Sequence, residues 1–129
     1  MSQISPKLRR STIGISFWCP GCDEPHHITT GNPTSTWSWN DDAERPVCSP
    51  SVLVSGHRVT RDASGKWSGG WERDAAGNLI PEVCHSFIGC NGAQPGQIIF
   101  LGDSTHHLAG RTVELADWPE RYQNPEQAT

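Results

Sequence analysis

Ile15-Ser-Phe-Trp-Cys-Pro-Gly-Cys22 runs from an apolar strand pattern directly into two cysteines separated by two residues. Pro20 and Gly21 favour a tight turn, which would bring the thiols of Cys19 and Cys22 together on a knuckle. Two thiolates at this spacing suit a tetrahedral zinc ion, whose sulfur ligands lie at about 2.3 Å. The sequence therefore predicts a Zn²⁺ site at this turn, at the end of a strand over residues 13–18.

The remaining ligands of this site must come from other cysteines or from histidines. Cys84 is the first choice because it lies in a strong strand pattern, and His26 is close enough in sequence to complete the knuckle locally. His106 could reach the site from the other half of the chain, so the fourth ligand stays open between the two histidines. A thioredoxin-like redox pair would need a βαβ context that the sequence lacks. For Cys48 and Cys90 we expect burial as small hydrophobic residues.

Composition indicates one small β domain. A chain of 129 residues fits a single domain, and 13 Gly, 10 Pro and 6 Trp favour short strands joined by tight turns. Apolar residues make up only 34% of the chain, so a metal would supplement a lean core. We predict a mainly β, antiparallel, single-domain fold with a zinc knuckle and at most short helical turns.

Strand patterns divide the chain into a central domain and two ends. The domain is expected over residues 13–118, with 56–82 as a variable insertion, between a flexible N-terminus at 1–12 and a polar tail at 119–129. Within the insertion, residues 56–78 are expected to form a hairpin carrying Trp67 and Trp71. The predicted strands are 13–18, 26–30, 35–39, 51–54, 83–88, 97–101 and 112–115, with 83–88 and 97–101 paired as an antiparallel hairpin.

Charge and hydropathy exclude several classes of partner. The formal net charge of −4 gives no general attraction to phosphate backbones, so nucleic-acid binding is not expected. No apolar run approaches the roughly 18 residues that a membrane helix requires, and the first 18 residues carry no signal-peptide pattern. Five cysteines without an export signal suggest metal ligands or free thiols. We expect a cytoplasmic protein that does not bind membranes.

A possible nucleophile lies at Ser51, which follows Pro50 and opens an apolar strand. A reactive serine needs a base within hydrogen-bond reach, which His85 or His106 could provide with Asp103 orienting the imidazole. Neighbouring strand residues face opposite sides, so His85 points away from any metal that its neighbour binds. The alternative is that the serine bonds backbone at a strand end and that residues 103–106 cap a short helix. Spacing alone favours the alternative.

Five strings taken together resemble a family of short phage and prophage proteins that often carry the name ammonia monooxygenase. That family is similar to a domain of bacterial ubiquitin-like conjugation operons, which is thought to be a zinc-bound serine peptidase. The shared Pro-Ser-Val and His-x-Phe-Ile patterns match Pro50-Ser51-Val52 and His85-Ser86-Phe87-Ile88. The resemblance implies that Ser51 is the nucleophile and His85 its base, and Asp103 and His106 also match. The strings are residues 17–22, 37–40, 45–52, 84–87 and 98–110.

The chain also departs from these relatives. The cellular relatives place their later cysteine a few residues before the histidine, whereas Cys84 directly precedes His85 here, so the fourth metal ligand stays open. Many phage relatives have Cys where this chain has Ser104, which argues against Ser104 as an obligatory nucleophile.

Three functions follow from the sequence. The first is a serine hydrolase or peptidase with structural zinc, acting on a ubiquitin-like or other protein or peptide substrate. The second is a hydrolase whose zinc activates water, and the third is a non-catalytic zinc-binding phage accessory module that binds a protein. If the chain is phage-encoded, the expected compartment is the host cytoplasm.

Overall fold

The computed structural model describes residues 2–31 and 36–119, and this part of the chain consists of strands and turns without a helix. The prediction of a mainly β, antiparallel single domain is confirmed. The strands are β1 (Ser2–Gln3), β2 (Leu8–Arg10), β3 (Gly14–Cys19), β4 (Glu24–Thr29), β5 (Ser38–Trp39), β6 (Cys48–His57), β7 (Val59–Arg61), β8 (Trp67–Trp71), β9 (Pro81–Ile88), β10 (Gln97–Phe100) and β11 (Thr112–Glu114).

The strands form three antiparallel sheets. One has the order β1-β2-β3-β4, the second has the order β11-β10-β9-β6-β5, and β7 pairs with β8 in a separate ribbon. The predicted hairpin of 83–88 with 97–101 is confirmed, since β9 pairs with β10 and Phe87 lies opposite Ile99. Of the predicted strand at 35–39, only Ser38–Trp39 form a strand, β5, while Ser35 lies outside the described residues.

The core lies between the two larger sheets. In β9 the side chains alternate, so that Cys84, Ser86 and Ile88 are buried while His85 and Phe87 are partly exposed. The strand therefore presents one face to the core and the other to solvent. The buried apolar cluster joins both sheets and contains Leu8, Ile15, Phe17, Cys19, Ile28, Cys48, Val52, Cys84, Ile88, Ile98, Phe100 and Leu115.

The N-terminal segment, expected to be flexible over residues 1–12, is part of the first sheet from residue 2 onward. Leu8 lies opposite Phe17 in the β2–β3 pairing and is 1% exposed, so its burial fixes the segment to the core. The guanidinium of Arg9 lies 4.6 Å from the Trp118 ring centroid, and the Trp118 indole donates to the Lys7 carbonyl. Both ends of the domain are thus joined. Of the expected tail, residues 120–129 lie outside the described part.

Residues 58–80 form a hairpin arm with two turns of the same construction. Asp62 and Asp74 each accept hydrogen bonds at Oδ1 from the amides two and four residues further on. Each turn is completed by an arginine that precedes the aspartate and donates to a glycine carbonyl. The predicted hairpin is confirmed by the pairing of β7 with β8. Its Trp67 and Trp71 rings lie 6.0 Å apart and remain 56% and 47% exposed.

Candidate active site and metal centre

Strand β9 contributes to two sites on opposite faces of its sheet. Cys84 points inward and is 2% exposed, whereas the next residue, His85, points outward with its side chain 25% exposed. This follows from strand geometry, in which successive side chains alternate. The alternation that the sequence predicted for these two residues is therefore seen in the structure.

The inward site is formed at the turn between β3 and β4. Cys19 and Cys22 flank this turn, where the Asp23 amide donates to the Cys19 carbonyl at 2.8 Å. His26 follows on β4, and Cys84 approaches from the other sheet. The Sγ atoms of Cys19 and Cys84 are 3.7 Å apart. Two thiolates on one tetrahedral zinc ion would lie about 3.8 Å apart at ordinary bond lengths.

The donor set at this turn fits a metal ion. The ligand atoms of Cys19, Cys22, His26 and Cys84 all lie within 4.8 Å of one another. Nε2 of His26 is buried without a hydrogen-bond partner, although the ring is held edge-on against Phe17. A coordinated ion would bond to this nitrogen, whose burial without a partner otherwise costs free energy. These four residues, which the sequence named, could hold one metal ion.

The thiols of the cluster shift one another's pKa values. Hydrogen bonds from the Cys22 and Cys84 thiols hold the pKa of Cys19 far below its ordinary value. The thiolate of Cys19 in turn raises the pKa of Cys22, and that of Cys84 to about 12. A divalent cation would favour ionisation of all three, because a coordinating thiol is deprotonated. Outside the cluster, burial raises the pKa of Cys48 to about 12 and keeps it a neutral core residue, as predicted.

The outward site is a hydrogen-bonded chain of three side chains. Nε2 of His85 lies 3.2 Å from Oγ of Ser51, and Nδ1 lies 3.1 and 3.3 Å from the two carboxylate oxygens of Asp103. A carboxylate only accepts, so Nδ1 carries the proton and Nε2 is free to accept one from the serine. The structure thus brings together three residues that are far apart in sequence, in the arrangement of a Ser-His-Asp triad.

A bulge in β6 presents Ser51 on the outer face. Cys48 lies opposite Ile88 and Val52 lies opposite Ser86, so three residues of β6 face one residue of β9. Bulges of this kind reorient side chains and are frequent beside active sites. Cys48 and Val52, the paired residues on either side of the bulge, are buried in the core, while Ser51 is partly exposed.

The loop after β10 fixes the other two members of the triad. The hydroxyl of Ser104 accepts from the His85 amide at 3.0 Å and donates to the His85 carbonyl at 3.2 Å. Thr105 also bonds to the backbone of β9, because its amide donates to the Val83 carbonyl at 2.8 Å. Asp103 is therefore held beside the imidazole while its neighbours bind the backbone of β9. Ser104 has its hydroxyl engaged with His85.

His106 lies at the knuckle. Its ring packs edge-on against Phe100 with centroids 4.5 Å apart, and its Nδ1 accepts from the Leu108 amide. A Cβ at Gly21 would overlap the imidazole, so a larger residue there would have to displace the His106 ring. Among the described residues no hydrogen bond joins His106 to the triad, and it is not one of the four clustered metal-binding groups. The structure thus selects His26 over His106 as the fourth candidate ligand.

Sequence reasoning missed two residues that support the site. Ser104 was considered only as a nucleophile or cap, although hydroxyls directly after Asp103 could have suggested backbone contacts. The indole of Trp37 donates to the Ser51 carbonyl at 3.2 Å and holds the backbone of this residue. No sequence pattern links this tryptophan to the serine, because the contact depends on how the chain enters β5.

One family of known proteins matches the chain. The family model described as bacterial ubiquitination-like system serine protease, BubE, matches residues 4–95, which include Ser51, His85 and the four clustered metal-binding groups but not Asp103. No curated protein matches the chain, and neither does any solved structure. The described residues contain no helix long and apolar enough to cross a membrane. The chain belongs to the BubE family of bacterial ubiquitination-like system serine proteases.

Proposed function

We propose that this protein is a serine hydrolase of the peptidase type. The observation that carries the proposal is the hydrogen-bonded series Ser51–His85–Asp103 on the solvent face of the second sheet. Each member is positioned by a separate element: the β6 bulge, strand β9 and the loop after β10. A partly exposed serine hydroxyl next to an oriented imidazole acts as a nucleophile, whereas an isolated surface serine does not.

The geometry supports nucleophilic attack by Ser51. As its Oγ bonds to the substrate carbonyl carbon, the hydroxyl proton passes to Nε2 of His85, and Asp103 stabilises the resulting imidazolium. The imidazolium then protonates the leaving amine, which departs as the carbonyl–nitrogen bond breaks. Water hydrolyses the acyl-enzyme in a second cycle, with His85 again accepting and returning the proton.

The proposed role of the metal is structural, and the proposed ion is Zn²⁺. Three thiolates and one imidazole form a common closed set for structural zinc, whereas catalytic zinc has three protein ligands and one open position. The presence of four clustered ligand groups therefore favours a structural zinc ion over a catalytic zinc ion that activates water. Because Cys84 and His85 are adjacent on β9, a metal bound inward would also fix the backbone of the outward base.

The proposed substrate is a protein or peptide. The family description refers to a ubiquitination-like system, which suggests an amide or isopeptide bond at a ubiquitin-like protein. We propose that neither nucleic acid nor membrane is a partner. We also propose a phage or prophage origin and action in the cytoplasm, where the reduced thiols of its five cysteines would persist.

A second candidate is a non-catalytic interaction module. The observation in its favour is the aromatic surface of the hairpin arm, where Trp67 and Trp71 are about half exposed. Large exposed aromatics are frequent in protein interfaces. This reading gives no role to the contact between Ser51 and His85, so the hydrolase is preferred.

Covalent labelling tests the hydrolase directly. A fluorophosphonate probe reacts with serines activated by a base, so the wild-type protein is expected to be labelled and Ser51→Ala is expected to lose essentially all labelling. Ser49→Ala is the matched control, since this exposed serine of the same strand has its hydroxyl hydrogen-bonded to Ser38 and should leave labelling intact. An unlabelled wild-type protein, or equal labelling of Ser51→Ala, would contradict the proposal.

A further inference from the structure

Strand β6 has an open edge that begins at the triad. β6 extends from Cys48 to His57, but β5 pairs only with Cys48 and Ser49. Within residues 2–31 and 36–119, no strand covers the rest of β6 on the side away from β9. The indole of Trp37 takes the next position by bonding the Ser51 carbonyl. The edge beyond Ser51 therefore has no neighbouring strand in the described structure.

The register shows which backbone groups face this edge. The Leu101 amide donates to the His85 carbonyl and the Gly89 amide to the Gln97 carbonyl, so the odd-numbered residues of β9 bond toward β10. Its even-numbered residues therefore bond toward β6, where Val54 is opposite Cys84. Because bonding directions alternate along a strand, Leu53 and Ser55 direct their N–H and C=O groups to the open edge.

The edge is exposed and continuous with the triad. Leu53 is 59% exposed and lies directly opposite His85, so its side chain is on the same face as the imidazole. Ser55 is exposed, and a Cβ at Gly56 would meet open space. Proteins usually cover or disrupt an edge of this kind, because unpaired N–H and C=O groups recruit another strand.

We infer that the substrate of the proposed hydrolase is an extended, unfolded polypeptide segment that adds to β6 as a strand; this inference rests on the proposed function. Leu53 and Ser55 together offer two donors and two acceptors to the backbone of such a segment. Residues two apart on a strand are separated by about 6.6 Å, so a segment bound at Leu53 reaches Ser51 with its next residues. The scissile carbonyl is thereby delivered to the nucleophile.

The surroundings of the edge add side-chain preferences. An alternate side chain of the bound segment would lie against Leu53, which favours an apolar residue there. A flexible tail or linker could occupy this track, whereas a bond inside a folded domain could not.

Proline substitution on the edge tests this inference. Leu53→Pro removes the edge-facing N–H without removing a hydrogen bond to β9, and proline is tolerated on edge strands in this orientation. Leu53→Ala is the matched control, because it loses the side chain but keeps the amide. Ser55→Pro repeats the test one edge position further along, in case Leu53→Pro fails to fold.

The probes are a combinatorial library of fluorogenic peptide amides and a fluorophosphonate. We expect the wild-type protein to hydrolyse extended peptides, and kcat/KM to fall about tenfold further in Leu53→Pro than in Leu53→Ala, in line with the loss of one hydrogen bond. The rate of Ser51 labelling by the fluorophosphonate should fall much less than peptide hydrolysis, because the probe does not occupy the edge.

Three results would overturn the inference. The first is a wild-type protein that the fluorophosphonate labels but that hydrolyses no library peptide. The second is equal peptide hydrolysis by the proline and alanine variants. The third is a wild-type dimer in sedimentation that Leu53→Pro dissociates, since the edge would then pair with a second copy of the chain. Failure of the wild-type protein to be labelled would instead reject the hydrolase itself.

Discussion

Replacing Cys84 with Ala is expected to abolish stoichiometric metal binding and the cooperative unfolding transition together. Cys84 is the member of the second sheet among the four clustered metal-binding residues, which we call the metal group: Cys19, Cys22, His26 and Cys84. Its loss would disconnect the second sheet from the β3–β4 turn at this point. Structural zinc sites contribute roughly 10–16 kcal/mol in small domains, which is comparable to the whole stability of about 5–15 kcal/mol for a native protein. Metal analysis and thermal unfolding followed by circular dichroism measure both effects.

Cys48→Ala provides the control for the loss of a buried thiol. Cys48 is 1% exposed and Cys84 is 2% exposed, but only Cys84 belongs to the metal group. The control should keep its metal and lose only about 1 kcal/mol, as is usual for single substitutions. If Cys84→Ala kept the metal and unfolded at the same temperature as Cys48→Ala, the structural role of the metal group would be refuted.

Replacing His85 with Ala is expected to lower kcat for a reactive ester by about 10²- to 10⁴-fold, the usual contribution of a positioned acid–base group. The reason is that Ser51 then has no acceptor for its proton, since Nε2 of His85 is the imidazole nitrogen within hydrogen-bond distance of Oγ. Burst-phase and steady-state ester hydrolysis measure the change. KM should change much less than kcat, because the imidazole acts on the chemical step.

Two further variants complete this prediction. Asp103→Asn should also reduce kcat, but less than His85→Ala, because the carboxylate is 59% exposed and solvent weakens its interaction. His107→Ala, which removes an exposed histidine outside the triad, should retain wild-type hydrolysis. A His85→Ala variant as active as His107→Ala would show that the Ser51 contact has no catalytic role.

The metal group was predictable because most of its determinants are local. The Cys19–Cys22 spacing and the Pro-Gly turn fix half of the site, and His26 follows on the return strand. Cys84 was identified from its strand pattern, although its approach to the knuckle depends on the packing of two sheets. His106 stayed an alternative, because sequence spacing cannot show that its ring packs against Gly21 and Phe100.

The triad could not be derived from spacing alone. Ser51 reaches the outer face through a bulge, and His85 meets it only because β6 and β9 are neighbours in the sheet. Strand order is a long-range property that a single pattern of apolar residues does not encode, so the resemblance to known families supplied the pairing. The strand pairing of the N-terminal segment was not predicted for a similar reason, since a lone Leu8 among polar residues gives little sign that it is buried against Phe17.

Native mass spectrometry after fluorophosphonate treatment reports on the metal cluster and on Ser51 in one spectrum. We expect a protein that carries one zinc ion and one covalent adduct, with the adduct located by peptide mapping on Ser51. A metal-free folded protein, or a folded protein with no adduct on Ser51, would contradict this expectation.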